Sequence, residues 1–137
     1  TDRLIGVDFG LSKVGLSISD PLKIISIPLK VIKYKKKEEL LRKLQEIAME
    51  NDVKSFVIGY PLNMNNKKNE MTKLVDDFFE ELKNLNFNVF LQDERLSSES
   101  AKKIMHEQNI KTGKNKEHID LIASTIILQS FLDKGSF

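Results

Sequence analysis

Three carboxylates in this 137-residue chain stand where an acid has chemistry available to it: Asp8, Glu94 and Asp120. Asp8 closes the apolar run Leu4-Ile5-Gly6-Val7, and an ionised carboxylate at the end of a buried strand is costly unless it is paired or holds a cation. A structural role competes, because Asp can cap a following turn through its own side chain, here at Gly10. Glu94 follows the apolar run Val89-Phe90-Leu91, and its neighbour Arg95 offers an ordinary surface ion pair as the alternative. Asp120 falls in the expected first turn of the last helix, where the helix dipole alone stabilises a negative charge by ~0.3–1 kcal/mol. Convergence favours chemistry over these separate accounts. Clustered carboxylates repel one another unless cations lie between them.

Hard divalent cations resolve that repulsion, which makes Mg²⁺ or Mn²⁺ the expected cofactor. Such ions suit phosphodiester hydrolysis, where two of them about 3.5–4 Å apart activate water and stabilise the leaving oxygen. Asp8 would bridge the pair, with Glu94 and Asp120 each completing one ion. No protein nucleophile is needed, and the chain offers no Cys and no persuasive Ser-His-Asp arrangement. Lys13, Arg95, Lys114 and Lys116 adjoin the acid-bearing segments and are the candidate substrate contacts. His118, two residues before Asp120, could orient water or touch phosphate, although a solvated loop histidine is the plainer account. His106 supports no functional argument.

Composition narrows the class. Lys and Arg number 22 against 20 acids, a net charge of +2 that does not by itself announce a nucleic-acid binder. Distribution says more, because the only arginines are Arg3, Arg42 and Arg95, while lysines gather at Lys30 to Lys37, Lys67-Lys68 and Lys111 to Lys116. Lysine meets phosphate as a point charge, which suits backbone contact better than base reading. Solvated surface is the competing account of each cluster. The absence of Cys excludes disulfides and thiolate metal sites. No stretch approaches the ~20 apolar residues of a membrane helix, and no signal-peptide pattern opens the sequence, so a single soluble cytoplasmic domain over residues 1–137 is expected.

The elements that must position the acids follow from periodicity. Leu4 to Asp8 reads as a strand and Phe9 to Lys13 as a tight turn. Val14, Leu16 and Ile18 then alternate with Gly15, Ser17 and Ser19, the pattern of a half-buried antiparallel strand. Ile25 to Ile32 is strand-like, with Pro28 favouring an edge or bulge position. Amphipathic helices are expected from Lys36 to Asn51 and from Met71 to Leu82, each followed by a short apolar strand taken as buried, Ser55 to Gly59 and Val89 to Leu91. A third helix is expected from Ser97 through Met105, then a basic loop from Asn109 to Glu117. The last helix, Ile119 to Lys134, is apolar nearly all round and should pack centrally, with Gly135 as its stop. Right-handed crossovers make the two later strands parallel to the first. The implied α/β architecture is one five-stranded mixed sheet in the order 3-2-1-4-5, with helices on both faces and ligands at the carboxyl ends of strands one, four and five. Strand four then separates Asp8 from Glu94 by roughly 9–10 Å, so Glu94 would have to lean back towards the others.

Four ordered motifs carry a resemblance. Val7-Asp8-Phe9-Gly10 with Val14-Gly15, then Gly59-Tyr60-Pro61-Leu62-Asn63-Met64, then Asp93-Glu94-Arg95-Leu96-Ser97, then Ile119-Asp120 with Ala123 resemble the YqgF/RuvX family, relatives of the RuvC-type Holliday junction resolvases. The resemblance spans nearly the whole chain. It implies a ribonuclease H-like fold, catalytic acids at Asp8, Glu94 and Asp120, and a nuclease processing the 5′ end of pre-16S rRNA in ribosome biogenesis. Leu11, Tyr60, Asn65 and His118 depart from the family's usual residues, and none is a proposed metal ligand.

Alternatives stay open at this level. A Holliday junction resolvase would cut branched four-way DNA and favour a homodimer, whereas an RNA nuclease could act as a monomer or homodimer. A non-catalytic RNA-binding assembly factor would bind with salt-dependent affinity and never cleave. A half of a sugar-kinase-like or actin-like ATPase would use Asp8-Phe9-Gly10 and Gly15 around phosphate, but such enzymes close two domains and one is expected here.

Overall fold

The computed structural model describes residues 3–62, 68–93 and 116–135, with the backbone alone for 116–118. Among these residues, five strands and three helices follow in the order β1 (Arg3–Asp8), β2 (Lys13–Ser19), β3 (Ser26–Lys33), α1 (Lys37–Glu50), β4 (Val53–Tyr60), α2 (Glu70–Asn84), β5 (Asn88–Asp93) and α3 (Lys116–Lys134). The strands form one mixed sheet in the order β3-β2-β1-β4-β5, as expected. β1 pairs antiparallel with β2 and parallel with β4, which pairs parallel with β5. The helix expected after Ser97 lies outside the described residues.

Alternation along the strands builds two cores. Ile5 and Val7 of β1, Val14, Leu16 and Ile18 of β2, and Phe56 and Ile58 of β4 face α1 and α2, meeting Leu40, Leu44, Val75, Phe78 and Leu82. Leu4 and Val57 point the other way and pack with Ile127, Leu128, Phe131 and Leu132 of α3. Helices therefore cover both faces. α2 is held at its start by a capping box, in which the Asn69 side chain accepts from Thr72 N–H while the Thr72 hydroxyl accepts from Asn69 N–H. α3 stops at Gly135, whose φ of +64° is the left-handed conformation of a helix stop.

Three expectations need correction. β2 is not half-exposed: Gly15, Ser17 and Ser19 are as buried as the apolar face, because α3 lies on them. Small polar residues at a close helix contact mimic a solvent face. β5 is not a buried strand either. It is an edge, and Leu91 is 40% exposed while Gln92 is the buried residue. Finally, α3 begins at Lys116, not Ile119, so Lys116 and His118 belong to a helix and not to a loop. Pro28 behaves as expected, since it sits on the edge strand β3 beside a register shift where Leu16 pairs Lys30 and Ser17 pairs Pro28.

Candidate active site

α3 reaches the sheet through its stripe Asp120, Ser124 and Leu128, spaced by four residues as one helix face requires. The strands meet it with residues that have little or no side chain. A Cβ at Gly6 would collide with Ser17 Oγ and lie 2.7 Å from Leu128 Cβ. A Cβ at Gly15 would lie 2.5 Å from the Asp120 carbonyl oxygen and 3.2 Å from Asp120 Cβ. Between these contacts the buried Ser17 hydroxyl donates to the Ser124 carbonyl at 2.7 Å, fixing the helix in position along the strand.

Gly15 is the Cα partner of Asp8 in the β1–β2 ladder. Paired residues of an antiparallel ladder stand about 4.5–5.5 Å apart at Cα with side chains on one face. Asp8 shares the parity of Leu4 and Gly6, which face α3. Two of the three sequence candidates, Asp8 and Asp120, are thus brought to one place at the carboxyl end of β1, with Gly15 as the spacer between them. Asp120 occupies the second turn of α3, since the helix starts four residues earlier. The dipole account of its charge loses force there, because that effect fades beyond the first turn.

The Asp120 carboxylate is partly buried, 24% exposed, and Lys13 Nζ lies 3.0 Å from its Oδ2. Oδ2 itself is buried, with the Lys13 ammonium as its ionic partner. Lys13, a candidate substrate contact from sequence, is here seated on an acid. Beyond β4, Gln92 shares a face with Gly59, its Cα partner, and its buried Oε1 accepts no hydrogen bond. Among the described residues no three acidic or histidine side chains gather as a metal cage. Glu94, Arg95 and Lys114 lie outside the described residues. Lys116 and His118 are placed by backbone only, in the first turn of α3.

The turn carrying Asp8 into Lys13 is tied down from the far side. Tyr34, just past β3, donates its hydroxyl to the Gly10 carbonyl, while its N–H donates to Ser12 O at 3.0 Å. Burial pushes the Tyr34 phenol above its ordinary pKa. Phe9 packs on Phe78, with ring centroids 4.7 Å apart, and Lys37 Nζ lies 5.8 Å from the Phe9 centroid. Sequence reasoning missed Gly15 as a spacer and Tyr34 as a latch. The Gly inside an alternating strand was the available signal for the first.

Residues 2–134 match the family model described as "RuvX: Holliday junction resolvase". The chain belongs to the RuvX family. A protein of Ruminiclostridium cellulolyticum named "Putative pre-16S rRNA nuclease" is 40% identical over 135 residues, covering 96% of this chain and 94% of the relative. A protein of the same name from Mycoplasmopsis synoviae is 39% identical over 133 residues, covering 96% and 97%. RuvX-family membership among nucleases gives the enzyme class, a phosphodiester hydrolase. Two solved structures share the ribonuclease H-like fold of this RuvX-family chain. The Fowlpox virus resolvase with Holliday junction DNA superposes with a TM-score of 0.60 at 11% identity, covering 98% of this chain and 99% of the other. RuvC of T. thermophilus with its Holliday junction substrate gives 0.52 at 13% identity, covering 99% and 97%. No helix among the described residues is long and apolar enough to cross a membrane.

Proposed function

We propose that this chain is a divalent-metal-dependent endonuclease that processes the 5′ end of pre-16S rRNA in the cytoplasm, with Asp8, Glu94 and Asp120 as its cation ligands. The observation that carries the reading is the docking of Asp120 on Gly15 opposite Asp8. The donor set fits a hard cation, because it offers carboxylate oxygens, and one of them, Asp120 Oδ2, is buried and already holds a cationic group, the Lys13 ammonium, at 3.0 Å. The substrate assignment is supported by the names of relatives up to 40% identical.

Mg²⁺ or Mn²⁺ would supply the charge that activates water and stabilises the leaving oxygen. The chain's own part is placement. Asp8 is fixed by the central strand, Asp120 by the helix stripe on Gly6, Gly15 and Ser17, and the intervening turn by Tyr34. Lys13, Arg95, Lys114, Lys116 and His118 are the proposed contacts to nucleic-acid phosphate. The lysines among them would neutralise backbone charge without reading bases.

The test sets purified protein with Mn²⁺ or Mg²⁺ against a pre-16S rRNA fragment and a four-way DNA junction, side by side. Cleavage of the RNA near its mature 5′ end, lost in chelator and in Asp8→Asn, is the expected result. The description of the matching family favours a second substrate reading, and symmetric nicking of the junction with the RNA left intact would establish it. Salt-sensitive RNA binding with no cleavage under any divalent ion would contradict the nuclease reading altogether.

A further inference from the structure

We infer that Lys13 is an internal counter-cation for Asp120: its ammonium holds the carboxylate in the metal-free protein and releases it when a divalent ion loads. The inference rests on the reading of Asp120 as a cation ligand. Lys13 opens β2 two residues before Gly15, and both residues share the strand face on which Asp120 is seated. Its Nζ accordingly reaches Asp120 Oδ2 at 3.0 Å, with the two side chains 33% and 24% exposed. At that depth a charge pair is screened less than one in open solvent. An unpaired carboxylate in this position would carry a desolvation cost, which the ammonium offsets.

Two features make the pair separable. First, lysine meets Oδ2 as a point charge on a flexible stem and lacks the fork geometry that makes arginine–carboxylate pairs tenacious. Second, the Lys13 side chain is 33% exposed, so its ammonium has solvent to move into when it leaves the carboxylate. With Asp120 engaged by a divalent cation, Lys13 would lose its counter-charge and face a second positive charge. The ammonium would then move outward on its own stem, where it can meet a substrate phosphate. Lys13 thereby keeps the helix-borne acid in place before metal arrives and lowers the affinity with which metal is taken. It is a positioning residue for Asp120 in one state and a phosphate contact in the other.

The experiment compares wild type, Lys13→Met and Lys13→Arg, each titrated with Mn²⁺ alone by calorimetry and each melted in chelator. Removing the competitor in Lys13→Met should tighten Mn²⁺ binding by about threefold to tenfold. The same variant should melt below wild type without metal and regain the difference at saturating Mn²⁺. Lys13→Arg supplies a fork that grips the carboxylate, so Mn²⁺ binding should weaken by several-fold and the metal-free protein should melt no lower than wild type. If Lys13→Met does not fold, the Arg variant still decides the matter. Mn²⁺ affinity unchanged in either folded variant would overturn the role of Lys13 while leaving the metal site standing. Wild type that takes up no Mn²⁺ would remove the cation reading of Asp120, and this inference with it.

Discussion

Gly15 and Asp120, 105 positions apart in sequence, are in such close contact that a methyl group on the glycine would lie 2.5 Å from the aspartate's carbonyl oxygen. That distance is short of van der Waals contact by on the order of 1 Å, and a carbonyl in a docked helix cannot swing aside. The same glycine pairs with Asp8 in the ladder. One residue without a side chain thus sets the spacing between two acids carried on different elements.

Gly15→Ala should therefore push the second turn of α3 off the sheet. Overpacking of this kind costs about 1–3 kcal/mol, readable as a lowered urea midpoint. If Asp120 acts as the proposed cation ligand, its displacement by on the order of 1 Å should cost about 100-fold in cleavage rate. Wild-type rate and stability in this variant would mean that the helix docks elsewhere.

Ser17→Ala removes the buried hydroxyl that donates to the Ser124 carbonyl at 2.7 Å. The expected loss is about 1 kcal/mol of stability, again measured by urea denaturation. Because the helix is also seated on Gly6 and Gly15, the cleavage rate should fall far less than in Gly15→Ala. The two variants separate the pinning of the helix from its clearance.

Tyr34 makes alkaline stability the third observable. Burial raises its folded-state pKa above the unfolded value of about 10. Its contribution is complete below that unfolded pKa, and it is lost as pH rises towards the higher folded pKa, because the unfolded chain releases the proton first. Tyr34→Phe should flatten this part of the stability profile as pH rises through the unfolded value of about 10. At neutral pH it should lower stability by about 1 kcal/mol through loss of the bond to Gly10. Parallel profiles for the two proteins would show that Tyr34 does not titrate with unfolding.

Much of the frame was legible because it depends on local pattern. The apolar runs at Leu4 to Val7 and Phe56 to Ile58, each at the centre of the sheet, read directly as strands, and handedness then fixed the 3-2-1-4-5 order. What failed depended on long-range cover. Gly15, Ser17 and Ser19 look like a solvent face until α3 is laid on them, and Val89-Phe90-Leu91 looks buried until β5 is found at the sheet edge. Asp8 could be singled out from its place at the end of an apolar run. That Asp120 docks through Gly15 and carries Lys13 could not, since each contact joins residues more than 100 positions apart.

The most direct test of the central claim, that Asp8 and Asp120 share a divalent-cation site, is the anomalous diffraction signal of Mn²⁺ in crystals of the wild-type protein. A shared site gives a peak coordinated by carboxylate oxygens of both residues, abolished in Asp8→Asn and in Asp120→Asn crystals of unchanged fold. A wild-type map at saturating Mn²⁺ with no peak at these two acids, or a peak that persists undiminished in both variants, would contradict it.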